Sequence, residues 1–403
     1  MYQAFQAQTD LLWPLRIWAK RSIPMIDGPT WGAALRPATR PMAAACKVLT
    51  LAQVSRKRPP WRIDGIVVHG ETSPVTEEVV ATTPFATLLR DTVRTTLQDH
   101  DVYVTDWHNV RDVPLEAGRF GLDDYTQHVI DFLVAMGPNA NVIAVCQPCV
   151  AALAAVALMS EDRHAATPAS LTLMAGPIDC RINPTEVNRL ATSQPIAWFA
   201  SKLISTVPAR HGGGGRRVYP GFLQLSAFIG MNRERHVEAF GAYYRDCLAD
   251  EIENVEKAAV TRTFYEDYMA VSDFSADFYI ETVDLVFQPY ALPRGELKFK
   301  GRAVAPAAIR KTALLPVEGE RDDICAVGQT LAAQDLASSL RPYLRTHYVQ
   351  PGGRAVRRVQ RQALADPHLS AGARRDPRLA VSDGSVQDRA VGRADRSRGA
   401  LRP

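Results

Sequence analysis

No apolar run in the 403 residues approaches the length of a bilayer span. The opening stretch MYQAFQAQTDLLWPLRIW carries polar and acidic residues where a secretion signal needs a basic start and an unbroken apolar core. A soluble cytoplasmic protein is the expectation. Cysteine is sparse: Cys46, Cys146, Cys149, Cys180, Cys247 and Cys325 in so long a chain make no disulfide framework. Cys146 and Cys149 form a CxxC pair, but no second CxxC and no paired-histidine motif completes a zinc site. The pair also sits too deep in the chain for a small thioredoxin-like domain. No metal and no cofactor are expected. Residues 351–403 lack lysine and aromatic side chains altogether, yet hold twelve arginines. That tail sets the formal net charge of +4; the remainder is near neutral or mildly acidic, which removes any warrant for nucleic-acid binding.

What is present is a core-forming composition, 46% hydrophobic, long enough for two or three structural units. Residues 1–55 read as helical on both sides of a Pro/Gly-rich stretch. RIDGIVVHGETSPVTEEVVATTP alternates and is rich in Val and Thr, the pattern of a β-hairpin. FATLLRDTVRTTLQ predicts an amphipathic helix over 86–98, and DVYVTDW a short strand. LDDYTQHVIDFLVAMG predicts a helix starting at Leu122 or Asp123 and stopping at Gly137. NVIAVC, then PCVAALAAVALMS, then SLTLMAGP read as strand, helix and strand. This alternation argues a parallel sheet with helices on both faces. Residues 180–295 break the rhythm with long aromatic helical patterns, as a cap inserted over the strand ends would. Strand character returns with TALLPVEGERDD, a helix is expected near 326–340, and RTHYVQPG closes the sheet.

The chemistry concentrates at VIAVCQPCV, residues 142–150. A parallel strand that ends in a nucleophile and leads at once into a helix is the elbow of α/β-hydrolases. The turn exposes the side chain above the sheet, and the helix N-terminus favours a thiolate. The backbone N–H of Gln147 is placed to serve as an oxyanion donor. Ala144 and Pro148 occupy the two glycine positions of the usual G-x-S-x-G box, so the box alone leaves a plain alternative open, a buried cysteine at a strand end. Chain order adds support: in this fold an acid follows a later strand and orients a histidine. LLPVEGERDDI offers Asp322, with Asp323 as the neighbouring candidate and a solvated acidic turn as the plain reading.

Five stretches, HDVYVTDWHNVRDVPLEAGRFGLDDY, NVIAVCQP, LMAGPIDCRINPTEVN, RRVYPGFLQLSAF and LPVEGERDDI, resemble the intracellular polyhydroxyalkanoate (polyhydroxybutyrate) depolymerases. The resemblance spans residues 1 to about 352. It implies an α/β-hydrolase-like, mostly parallel sheet with a helical cap insertion. It also implies a Cys–Asp–His site hydrolysing the amorphous polyester of storage granules, with Cys146 as nucleophile and Asp322 as acid. The expected partners are the polyester granule and 3-hydroxyalkanoate oligomers, and the expected location is the cytoplasm at the granule. The expected organisation is a helical segment at 1–60, the first part of the core at 61–179, the cap at 180–298, the second part of the core at 299–352 and the Arg-rich tail at 353–403. A polyester synthase shares the fold and a Cys nucleophile, but VCQP lacks the glycine those enzymes keep two residues past the Cys. A granule-surface protein that binds polyester without hydrolysing it is the non-enzymatic alternative.

Two departures bear on activity. The elbow fold needs a buried strand and loop before the helix expected at 86–98, because that loop supplies a second oxyanion N–H; EEVVATTPF runs straight into ATLLRDTV, so a strand is missing. A catalytic histidine should follow RTHYVQPG, but only Arg-rich sequence does. His347 lies in the strand pattern itself, where packing or surface exposure is expected, and His368 lies in the tail. A permitted codon choice for VRRVQRQALADPHLS, read one base later, gives YGVFSGKRWRTHIY, an aromatic peptide similar to the family's C-terminal end. The tail therefore reads as an out-of-frame segment beginning near Gly352, against the alternative of a natural disordered tail.

Overall fold

The computed structural model describes residues 1–26, 36–55, 65–68, 71–74, 78–90, 101–249 and 251–352. The Arg-rich tail and its frame therefore lie outside the described residues.

Two helices open the chain, α1 (Tyr2–Ile26) and α2 (Arg36–Leu51). A two-stranded hairpin follows, β1 (Gly65–Val68) antiparallel to β2 (Glu71–Pro74). Strands β3 (Glu78–Thr82), β4 (Ala86–Arg90) and β5 (Tyr103–Trp107) form an antiparallel sheet in that order. Helix α3 (Leu122–Met136) starts after Gly121, whose N–H donates to Asp124, and stops at Gly137 with φ 84. Strand β6 (Asn141–Val145) runs into α4 (Pro148–Glu161), and β7 (Ser170–Met174) follows. Helix α4 is buried along nearly its whole length, which explains its Ala/Val/Leu composition on every face.

Between β7 and the next long strand the chain is mostly helical: α5 (Glu186–Thr192), α6 (Ile196–Lys202), α7 (Gly221–Met231), α8 (Arg233–Leu248), α9 (Ile252–Tyr268) and α10 (Ala276–Thr282). Short strands β8 (Ser205–Thr206), β9 (Arg217–Tyr219) and β10 (Phe274–Ser275) pair among these helices. Leu225, Tyr243, Tyr265 and Met269 form a separate apolar cluster here, and Leu51 from α2 belongs to it. The Tyr2 hydroxyl donates to the buried Asp273 carboxylate at 2.5 Å, which fastens α1 to the same region. A hairpin of β11 (Lys298–Phe299) and β12 (Arg302–Ala303) leads to β13 (Ala313–Gly319), α11 (Ala332–Leu336) and β14 (Tyr348–Gln350).

Strands β14, β13, β7 and β6 form a parallel sheet in that spatial order, with Val145 level with Met174, and Met174 and Tyr348 each level with Val317. Parallel strands joined by covering helices, with β6 ending in a tight turn into α4, give the α/β-hydrolase-like architecture.

Two expectations are corrected. Residues 86–90 are strand β4, not the start of a helix. Ala86 and Leu88 alternate onto Phe132 of α3, and pairing on both sides with β3 and β5 satisfies the backbone. The rest of the expected helix, 91–98, lies outside the described residues. The helix expected near 326–340 shrinks to five residues. The N–H groups of Gly328, Thr330 and Leu331 point instead to the buried Glu318 carboxylate, which draws them out of a helical ladder.

The antiparallel and parallel sheets are not joined among the described residues. Both lean on α3: Ala86, Leu88 and Trp107 pack with Phe132, while Val142 packs with Leu133. The break falls at the outer edge of β6, where Ile143 is 46% exposed.

Candidate active site

Cys146 occupies the residue between β6 and α4, with φ 64, a left-handed conformation that a side chain rarely adopts. Its N–H still donates to Met174 O at 2.8 Å as the last rung of the sheet, while its carbonyl accepts from Cys149 N at 3.1 Å as the first turn of the helix. Pro148 at the first helical position needs no N–H partner and suits this sharp entry. The thiol is half-buried. Burial pushes its pKa up, the Gln147 N–H hydrogen-bonded to it pulls the other way, and the Asp322 carboxylate adds to the rise. Gln147, the residue singled out as an oxyanion donor, therefore presents its N–H beside the sulfur.

Asp322 sits in the turn after β13, its N–H on Gly319 O at 3.2 Å. One carboxylate oxygen, Oδ1, accepts from the N–H groups of Ile324 (2.9 Å) and Cys325 (3.1 Å). The other, Oδ2, is buried and has no partner among the described residues. The residue is 7% exposed, and burial raises the carboxyl pKa against the pull of those two N–H groups. Asp323, the alternative acid, is exposed.

Cys149 is the inert member of the pair. It is fully buried, with Sγ 3.3 Å from Ala144 O, and burial holds its thiol far above the usual range. Gly176 explains the fit. A Cβ there would lie 2.3 Å from Cys149 Cβ, so only glycine lets the end of β7 approach α4. Thr330 Oγ1 accepts from Gly176 N at 2.8 Å and donates to Gly176 O at 3.1 Å. This hydroxyl clasps the loop carrying Asp322 to the chain leaving β7, which lies beside the Cys146–Cys149 segment. Among the described residues no group of His, Cys, Asp and Glu could hold a metal ion.

Six histidines are described, and each is engaged away from Asp322. His108 meets Thr87 and Pro84 O, His128 meets Asp124 O and Thr83, and His164 accepts from Ala166 N. His211 meets Gln6 and His236 meets Tyr265. His347 precedes β14 and contacts Glu318 Oε2 through Nε2 at 2.9 Å. Sequence reasoning missed this last pair. Glu318 lies in an otherwise apolar strand, and a lone acid in such a run is the signal that should have prompted a search for its partners.

The chain's second half matches a known family. Residues 175–355 fit the model of the family described as PHB de-polymerase C-terminus. Over that stretch the chain is similar to that family. The match covers the mostly helical stretch after β7, β13, the Asp322 turn and β14, and it stops as the Arg-rich tail begins. No curated protein gave a match. Among solved structures, a meta-cleavage product hydrolase from Pseudomonas fluorescens IP01 is 13% identical, covers 77% of this chain and 97% of its own, and has a TM-score of 0.36. A membrane phospholipase A, a bacterial virulence factor, is 13% identical over 93% of this chain and 98% of its own at TM-score 0.37. Both likenesses are remote. Among the described residues no helix is long and apolar enough to cross a membrane.

Proposed function

We propose that the chain is a thiol-dependent ester hydrolase of the polyhydroxyalkanoate depolymerase type, directed at storage polyester in the cytoplasm, with its hydrolytic step impaired. The carrying observation is the buried Asp322 Oδ2, without a partner among the described residues, on a loop near enough for its charge to act on the Cys146 thiol. A buried carboxylate oxygen without a donor is unfavourable unless function requires it. Here it is the seat for an imidazole Nδ1–H. In the reaction, the Cys146 thiolate adds to the ester carbonyl and the Gln147 N–H donates to the oxyanion. The C–O bond then breaks, leaving the acyl group on Sγ as a thioester, and the alkoxide of the departing chain takes up the proton that the thiol gave up. Water hydrolyses the thioester and restores the thiol. The aromatic cap is suited to holding an apolar polyester chain.

One observation favours a second reading, polyester binding without hydrolysis. Every described histidine is committed elsewhere, so among the described residues the thiol has no imidazole partner. A missing general base lowers the rate by about 10²–10⁴-fold, and the donor lost with the missing strand adds to that. The deciding assay is release of soluble 3-hydroxyacids from amorphous granules. It compares the chain as given, its Cys146→Ala variant, and a chain with the frame beyond Gly352 shifted, a His codon placed before the new Tyr, and the missing strand restored. Slow Cys146-dependent release that rises on repair supports the hydrolase. Granule binding with no release from either chain supports the second reading. Full activity in the unrepaired chain would show that the base lies elsewhere.

A further inference from the structure

Two residues at the end of the parallel sheet hold left-handed backbones, Cys146 with φ 64 and Ala175 with φ 47. Ala175 follows β7 directly and is fully buried. Residues with a side chain keep such a backbone only where surrounding contacts over-determine it. The chain leaving β7 is held in this way from two sides. On one side Met174 O accepts from Cys146 N at 2.8 Å, and Gly176 lies so close to Cys149 that no side chain fits between them. On the other, Ala175 N donates to Val317 O at 2.9 Å, and the Thr330 hydroxyl takes both backbone groups of Gly176. This short segment therefore lies between the Cys146 elbow and the loop that carries Asp322.

We propose that Thr330 is a positioning residue whose hydroxyl holds the Asp322 turn level with the Cys146 elbow, so that both side chains can serve one imidazole. The proposal rests on the hydrolase reading. Thr330 is fully buried, and a hydroxyl both donates and accepts, so one side chain satisfies the N–H and the C=O of Gly176 together. Its Oγ1 also meets Cys325 Sγ at 3.7 Å, and the Cys325 N–H donates to Asp322 Oδ1 at 3.1 Å. Contacts thus run unbroken from the carboxylate through Cys325 and Thr330 to Gly176, and from there to Cys149 in the first turn of α4. The backbone of Thr330 is fixed independently, its N–H on the buried Glu318 carboxylate at 2.8 Å. The neighbouring Gln329 turns the other way. Its amide donates to Asn183 O and Asn188 Oδ1, which ties the loop to the start of the helical stretch rather than to the elbow. The Asp322 charge acts on the Cys146 thiol, so the strength of that influence measures how well the two are held together.

The test reads the pH midpoint of Cys146 alkylation by iodoacetamide in the full chain, with peptide mass spectrometry to separate Cys146 from the other thiols. Asp322→Asn is introduced into three backgrounds: the unaltered chain, Thr330→Ser, which keeps the hydroxyl, and Thr330→Val, which keeps the shape and loses it. Circular dichroism and thermal melting follow the fold. The expected result is a fall in midpoint on Asp322→Asn that is full-sized in the unaltered chain and in Thr330→Ser, and smaller by about half or more in Thr330→Val, because coupled sites are not additive. A merely structural Thr330 would lower the melting temperature in Thr330→Val and leave that fall at full size. This second outcome overturns the proposal and leaves the hydrolase reading standing. If Asp322→Asn moves the midpoint in no background, Asp322 and Cys146 are not paired, and the hydrolase reading fails together with the proposal. Should Thr330→Val not fold, Thr330→Ala takes its place, since the smaller side chain leaves room for a water to satisfy Gly176. The same outcomes decide it.

Discussion

The negative charge of Asp322 raises the pKa of the Cys146 thiol, yet Asp322 Oδ2 meets no donor among the described residues. The two groups disfavour each other as they stand. An imidazolium between them would relieve both, because a positive charge stabilises thiolate and carboxylate together. On the proposed reading, that imidazolium would be the middle member of a Cys–His–Asp triad.

Thiol reactivity should separate the two cysteines of the CxxC pair. Iodoacetamide should label Cys146 at least about tenfold faster than the fully buried Cys149, since access governs the reaction of an otherwise similar thiol. Peptide mass spectrometry after timed alkylation reads the ratio. Faster labelling of Cys149 would mean that the wrong sulfur has been assigned.

The pH dependence of that labelling has a definite sign. The thiol pKa is raised by burial and by the Asp322 carboxylate, so the rate should climb above the pH of an ordinary thiol. Asp322→Asn removes one raising charge. The midpoint should therefore move to lower pH in the variant, and a midpoint that stays put would separate the two residues.

Asp322→Asn should also change stability. Its folded pKa is raised above the unfolded value, so burying the ionised carboxyl opposes folding once pH rises through the folded pKa. Well below the unfolded pKa the carboxyl is neutral in both states and the penalty vanishes. The variant should gain about 0.5–2 kcal/mol near pH 8 and lose that advantage near pH 3. Denaturant unfolding at the two pH values checks it.

Free imidazole should rescue activity if a base resting on Asp322 Oδ2 is what the reaction needs. Added imidazole should raise the rate on a soluble ester several-fold and in a saturable way, a small part of the roughly 10²–10⁴-fold owed to a positioned base. It should do nothing for Cys146→Ala. Rescue that persists in Asp322→Asn would mean imidazole acts from solution.

Glu318 should prove structural. It is fully buried, its Oε1 takes three N–H donors and its Oε2 meets His347. Glu318→Ala should lower stability by about 3–5 kcal/mol by orphaning those groups, measured by denaturant unfolding. A change under about 1 kcal/mol would show that water replaces the carboxylate.

The sequence by itself determined the local elements whose patterns have one reading. The β6–Cys146–α4 junction is an apolar run closed by a cysteine and reopened by a proline, and no other element fits it. The Asp322 turn was legible because an acidic cluster follows an apolar strand. Tertiary structure decided the rest. Residues 86–90 suit helix or strand equally by composition, and only the partners β3 and β5, with Phe132 to cover Leu88, made them a strand. The helix expected near 326–340 was cut short by a single distant carboxylate, Glu318, which outbid helical carbonyls for three N–H groups. The unpartnered Oδ2 could not be read from sequence at all, because being without a donor depends on what every other part of the chain brings near it.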